Sequence, residues 1–148
     1  MLVDDGIRKL FSETRILGHP EYFTLVSIDR KEEETARLLL RDIEAFSSVT
    51  FDHSEVSLVV RSDEWAKLRG GFREFKEEGP YSLITFDIVL DLSIVGFLAV
   101  VSARLAEAGV SIYALSTFLR DHILVKGGDA EKAVRILNEL VEECRGEA

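Results

Sequence analysis

The stretch from Asp91 to Lys126, DLSIVGFLAVVSARLAEAGVSIYALSTFLRDHILVK, constrains the fold of this chain more than any other. Ile94, Phe97, Leu98, Val101, Leu105 and Ala108 recur at the three-and-four spacing of a helix that buries one face. Gly109 stops it, because the residue just past a last turn often takes a positive φ that glycine adopts without a side-chain penalty. Val110 to Phe118 then reads as a strand, and Asp121 to Lys126 as a second strand after a tight connection.

The flanks repeat that order. From Tyr22 the chain reads strand, helix, strand, strand, helix, strand. Tyr22 to Asp29 is β-rich, and Lys31 to Phe46 sets Ala36, Leu39, Leu40 and Ile43 at helical spacing. Val49–Phe51 and Val56–Arg61 form a hairpin around Asp52-His53-Ser54. Asp63 caps a short helix that Gly70-Gly71 stops, and Phe72 to Lys76 is a last strand. Gly79-Pro80 marks a junction, since proline removes a backbone donor. Tyr81 to Leu90 follows as the longest strand, and Asp129 caps a final helix with Ala133, Ile136, Leu137, Leu140, Val141 and Cys144 as its buried stripe. The second half lacks an evident closing strand after Val141, an edge that a strand from the first half, a swap or a partner chain could fill. Ahead of all this, Leu2, Val3, Ile7, Leu10 and Phe11 make one amphipathic helical stripe that ends before Gly18-His19-Pro20.

Several function classes are disfavoured. A formal net charge of −9 opposes phosphate-rich partners, so no nucleic acid is expected. The most apolar region, Tyr81 to Val101, is interrupted by Asp87 and Asp91 and does not read as a membrane span. Asp4 and Asp5 stand where a leader would be basic, and the single Cys144 excludes an internal disulfide. A cytoplasmic protein is the expectation. No glycine fingerprint, phosphate loop or metal spacing appears, and His19, His53 and His122 are scattered. No cofactor, no metal and no catalytic residue is therefore expected.

The chemistry concentrates at Asp91-Leu92-Ser93-Ile94-Val95-Gly96. A helix beginning here presents unpaired amides carrying partial positive charge, able to hold a small carboxylate. Ser93 is either the cap of its own helix or a donor to that carboxylate. Gly96, in the first turn, either permits close packing or lets a ligand approach. Asp121 stands where aspartate often closes a hairpin turn.

Two runs, Leu105-Ala106-Glu107-Ala108-Gly109-Val110-Ser111 and Ser116-Thr117-Phe118 followed by Asp121-His122-Ile123-Leu124-Val125, are specific as a pair. Together with Gly96-Phe97-Leu98 they resemble the second half of tandem ACT-domain proteins, in the branch of the CASTOR-type arginine sensors and many small prokaryotic proteins. The resemblance implies an α+β fold of two ferredoxin-like βαββαβ units in tandem, each an antiparallel sheet with two helices on one face. On that pattern residues 1–20 are a helical appendage, 21–78 a first ACT-like unit and 79–148 a second. It also implies a non-catalytic regulatory module, a homodimer that binds an amino acid at an interface between ACT units and is read by a regulated protein. The alternative is a ligand-free interaction module of the same fold. Carried over residue by residue, the ligand site takes Asp91, Ser93, Gly96, Phe97 and Leu98 from the loop side and Ile112, Tyr113, Ser116, Thr117, Phe118 and Asp121 from the strand side. Leu119-Arg120 departs from the pattern, where small or polar residues are common.

Overall fold

The computed structural model describes residues 4–146, so the apolar pair Leu2 and Val3 lies outside the described residues. The elements in order are α1 (Asp5–Glu13), β1 (Arg15–Asp29), α2 (Glu33–Leu39), β2 (Ser48–Phe51), β3 (Glu55–Arg61), α3 (Ser62–Leu68), β4 (Phe75–Asp87), α4 (Phe97–Glu107), β5 (Tyr113–Ser116), β6 (Asp121–Lys126) and α5 (Ala130–Gly146). They form two compact units, one contiguous over Glu21–Tyr81, the other discontinuous and made of Met1–Pro20 with Ser82–Ala148.

The contiguous unit runs strand, helix, hairpin, helix, strand. Its strands are ordered β2-β3-β1-β4. β1 and β3 pair antiparallel in the register Leu25↔Val59 and Ser27↔Ser57, and β2 pairs β3 with Thr50↔Ser57. Val26, Ile28, Val56, Leu58 and Val60 alternate onto one face and meet Ala36 from α2 and Trp65 from α3. Trp65 stacks near Phe72, at 5.8 Å between ring centroids, and meets Phe75 edge-on at 5.2 Å.

Three expectations are corrected in this unit. The helix expected over 31–46 is only the seven residues of α2, led in by a single turn of 3-10 helix at Arg30–Glu32. Phe46 leaves the helical path and sets its ring edge-on against Phe23 at 5.9 Å, a tertiary contact that outweighs local spacing. The junction at Gly79-Pro80 is no break, since β4 runs through it from Phe75 to Asp87. Glycine there has a packing reason: a Cβ on Gly79 would sit 3.1 Å from the Phe23 carbonyl oxygen. Asp63 lies inside the first turn of α3, with Arg61 at the cap position, and its carboxylate is shared by the Glu64 amide and the Arg61 guanidinium.

The discontinuous unit supplies the strand that the second half of the chain lacks. Its order is β1-β4-β6-β5, with Arg15–Pro20 serving as the β1 portion. β5 and β6 pair antiparallel, Ala114 opposite Ile123 and Ser116 opposite Asp121. The expected strand over 110–118 is thus four residues long. α1, α4 and α5 share one core with the sheet, in which Phe11, Phe86, Leu105, Ile123, Leu137 and Leu140 are almost fully buried. The N-terminal segment is therefore structural rather than appended to this unit. Asp4 caps α1 by accepting from the Ile7 amide at 2.8 Å, and Phe11 stacks on Phe97 with centroids 4.3 Å apart. Among the described residues, no helix is long and apolar enough to cross a membrane.

Candidate functional site

Nine residues, 88 to 96, separate the end of β4 from the start of α4. They form a folded loop. The Asp91 carboxylate accepts from the Ser93 amide at 2.8 Å and from the Ser93 hydroxyl, and the Asp91 carbonyl accepts from the Ile94 amide at 3.0 Å. These bonds hold the Asp91 carboxyl below the ordinary aspartate range, the Ser93 hydroxyl contributing first and its amide second. The loop is tied to the hairpin by the Leu90 amide, which donates to the Leu119 carbonyl at 2.8 Å.

α4 begins three residues later than periodicity predicts. Its cap position is Gly96 at φ 97°, left-handed, with no side-chain cap, so Ser93 does not cap this helix. A Cβ on Gly96 would meet nothing within 4 Å. Glycine is required here for its backbone angle, and close packing is not the reason. The first bond of the helix ladder runs from the Val100 amide to the Gly96 carbonyl at 3.2 Å. The amides of Phe97, Leu98 and Ala99 stand ahead of that ladder at the positive end of an eleven-residue helix.

This helix end opens on a cleft of about 330 Å³. Of the residues expected at a ligand site, Asp91, Gly96, Phe97 and Leu98 line it from the loop side and Ser116, Thr117, Phe118 and Asp121 from the hairpin. Ser93, Ile112 and Tyr113 are outside the lining. Ser93 is spent on Asp91; Ile112 packs partly buried against the core; and Tyr113 sits on β5 opposite Leu124. Phe97 is 3% exposed and faces Phe11 and Phe86, so its ring belongs to the core and only its backbone serves the cleft. Spacing alone missed Leu90, Leu92, Ile94 and Ala99, together with Leu119 and Arg120. Leu119-Arg120 carried a signal all the same, as a departure from the pattern that the sequence resembles.

The polar side chains around the cleft are connected. Ser116 Oγ donates to Asp121 Oδ1 at 2.7 Å. Arg120 Nε donates to Asp87 at 3.1 Å and Arg15 donates to the other Asp87 oxygen at 3.0 Å. The two guanidiniums, Arg15 first, hold the Asp87 carboxyl below its ordinary range. Thr117 Oγ1 donates to the Arg120 carbonyl at 3.0 Å, leaving a lone pair for His122 Nε2 at 3.2 Å. His122 Nδ1 then accepts from Thr85 Oγ1 at 2.9 Å, and Thr85 accepts from His19 Nε2 at 2.8 Å. This donor direction makes His122 a neutral Nε2–H tautomer, with His19 donating from Nε2, an assignment made from the network. His122 is buried, and burial first, then the neighbouring His19, pushes its imidazole below the ordinary histidine range. Among the described residues no group of three or more His, Cys, Asp or Glu side chains is placed to hold a metal.

A strand, an opened loop, an uncapped helix and a returning hairpin define this part of the chain. Residues 77–139 match the ACT domain family. The ACT match thus covers the loop, the helix α4 and the hairpin that enclose the cleft, and stops within α5. No curated protein matches the chain. Among solved structures, a protein of unknown function from Vibrio cholerae, described as a possible transport protein, is 18% identical over 93% of this chain and 97% of its own, with a TM-score of 0.72. The regulatory subunit of aspartate kinase from Thermus thermophilus, in a ligand-free form, is 14% identical over 86% and 97%, with a TM-score of 0.67. That from Thermus flavus is 12% identical over 84% and 95%, with a TM-score of 0.65. At these identities the likeness concerns the fold, which is α+β, antiparallel and ACT-like.

Proposed function

We propose that this chain is a non-catalytic regulatory module whose cleft binds a small-molecule effector, an amino acid. One observation carries the reading: the uncapped N-terminus of α4 opens on a concavity that also receives Asp121 from the hairpin. The α-carboxylate of the effector lies on the amides of Phe97, Leu98 and Ala99, where the helix dipole favours an anion. Asp121, with Oδ1 already engaged by Ser116, offers Oδ2 to the α-ammonium group, which needs an acceptor once water is displaced. The aspartate kinase regulatory subunits among the similar folds agree with a regulatory role.

In this reading both units are ACT units arranged in tandem in a cytoplasmic protein, and a second copy of the chain pairs along β5. That strand lies at one end of the strand order and offers an open edge. The effector favours one arrangement of the copies by its differential affinity, and a regulated protein responds to that arrangement. A second reading, a ligand-free interaction module, is favoured by the exposure of Leu92, Val95 and Phe118 around the same loop and hairpin.

A thermal-shift screen against the common amino acids separates the two. A ligand at a hundred times its Kd adds about 2.7 kcal/mol of stability. In a chain of this size that is a rise on the order of 5 to 10 °C. A response to at least one amino acid, lost in Asp121→Ala with the protein still folded, is the expected result. A flat response to all of them at millimolar concentration favours the interaction module.

A further inference from the structure

The lining of the cleft bears on which side chain the effector carries, an inference that rests on the amino-acid reading above. Leu92 and Phe118 are 73% and 75% exposed, and Leu119 is 46% exposed. All three line the cleft. A single exposed apolar side chain needs no explanation, but three at one concave mouth make a surface that water covers unfavourably and an apolar group covers well. The charged side chains sharing that lining are each engaged by a neighbour. Asp91 accepts from Ser93, Arg120 donates to Asp87, and Asp121 accepts from Ser116. A charged effector side chain would have to share these groups with partners they already hold, and at positions open to water such an added pair contributes little. The volume of about 330 Å³ sits at the small end of the range for ligand sites, roughly 300 to 1,000 Å³, and suits a single amino acid.

We propose that the cleft selects an α-amino acid with a large uncharged apolar side chain, branched aliphatic or aromatic, and that Leu92 and Phe118 set that preference. Their side chains lie against the effector's side chain, while the α-carboxylate and α-ammonium groups are held by backbone amides and Asp121. Loss of either apolar wall therefore lowers the affinity for large apolar amino acids and spares that for small ones.

The test is calorimetric titration of the intact protein with L-leucine, L-phenylalanine, L-serine, L-lysine and L-glutamate. L-leucine or L-phenylalanine should bind at least about tenfold more tightly than the other three, the discrimination that apolar contact can supply. Leu92→Ser and Phe118→Ser change exposed residues, and circular dichroism checks that each is folded. Each should weaken the apolar ligands by about tenfold and leave the affinity for L-serine as it was. Tightest binding of L-serine, L-lysine or L-glutamate, or an equal loss for all ligands in the variants, overturns the preference and leaves the amino-acid reading standing. A changed oligomeric mass in the variants with selectivity intact assigns Leu92 and Phe118 to a protein contact and also overturns it. Binding of none of the five removes the amino-acid reading first and this inference with it.

Discussion

The two units join a strand to its first helix in opposite ways. In the contiguous unit β1 ends at Asp29, a single 3-10 turn follows, and α2 begins at Glu33. The Asp29 carboxylate already takes the Lys31 amide at 2.9 Å, so the protein supplies its own anion where the 3-10 turn that leads into the helix starts. In the discontinuous unit the same connection is stretched to nine residues and ends on a glycine with no side-chain cap. One layout of elements thus yields a closed turn in one place and an open cleft in the other. A likeness of fold says little about a site until this connection is described.

The largest effect should come from the difference in continuity. Deleting residues 1–20 removes α1 and the first part of β1, and with them Ile7 and the fully buried Phe11. Loss of a buried phenylalanine alone costs about 3 to 5 kcal/mol. The truncated chain should lose cooperative unfolding of the discontinuous unit, and hydrogen exchange should report fast exchange in α5 with protection retained in β3. Protection of α5 in the truncated protein would mean that this segment is dispensable.

Next in size is Phe97→Ala, which deletes the ring between Phe11 and Phe86 and should destabilise by about 3 to 5 kcal/mol in denaturant unfolding. A small loss, with ligand binding alone impaired, would move Phe97 from the core to the ligand. Gly96→Ala should then cost about 1 to 2 kcal/mol through its left-handed backbone. Gly70→Ala, in the contiguous unit and likewise with nothing within 4 Å of a Cβ, should stay within about 0.5 kcal/mol. Equal effects at the two glycines would show that the loop relaxes and that its geometry is not fixed.

The smallest effect is the pH response of the buried network. His122 binds protons less readily folded than unfolded, so its contribution is complete above the unfolded value of about 6.5 and is lost as pH falls below it. His19 and Arg120 lower its proton affinity and Asp121 raises it, with burial the leading cause. Melting temperatures at pH 7.5, 6.5 and 5.5 should fall along that series, and His122→Gln should flatten the decline. An unchanged slope in that variant would place the response elsewhere.

What the sequence makes legible follows from which forces are local. The stop at Gly109 is visible because the chain end of a helix has its own chemistry: the Val110 amide returns to the Leu105 carbonyl at 2.9 Å and Gly109 has φ 74°. The stripe of α5 is legible for the same reason, with Ala133, Leu137, Leu140, Val141 and Cys144 buried as their spacing predicts. The loop was hidden because Ile94 does pack on the core, at the helical spacing, without being in a helix. The role of residues 15–20 was hidden too. Strand pairing over such a separation leaves no periodic mark, and Gly18 and Pro20 read as breakers inside what is a strand. At the site, the loop and hairpin could be named in advance, but the division between core and cleft at Phe97, and the lining by Leu92 and Leu119, depend on the turn at Gly96.

The passage of β1 from one unit into the other sets an order of events for a chain made from its N-terminus. The contiguous unit has all its residues by Tyr81 and is ready to form early. The segment ahead of it, α1 with the first residues of β1, emerges before that unit yet packs against α5, which follows long after it. Contacts of such long sequence separation are slow to form. Until they do, the face carrying Ile7 and Phe11 stays bare while the contiguous unit, made after it, is already complete.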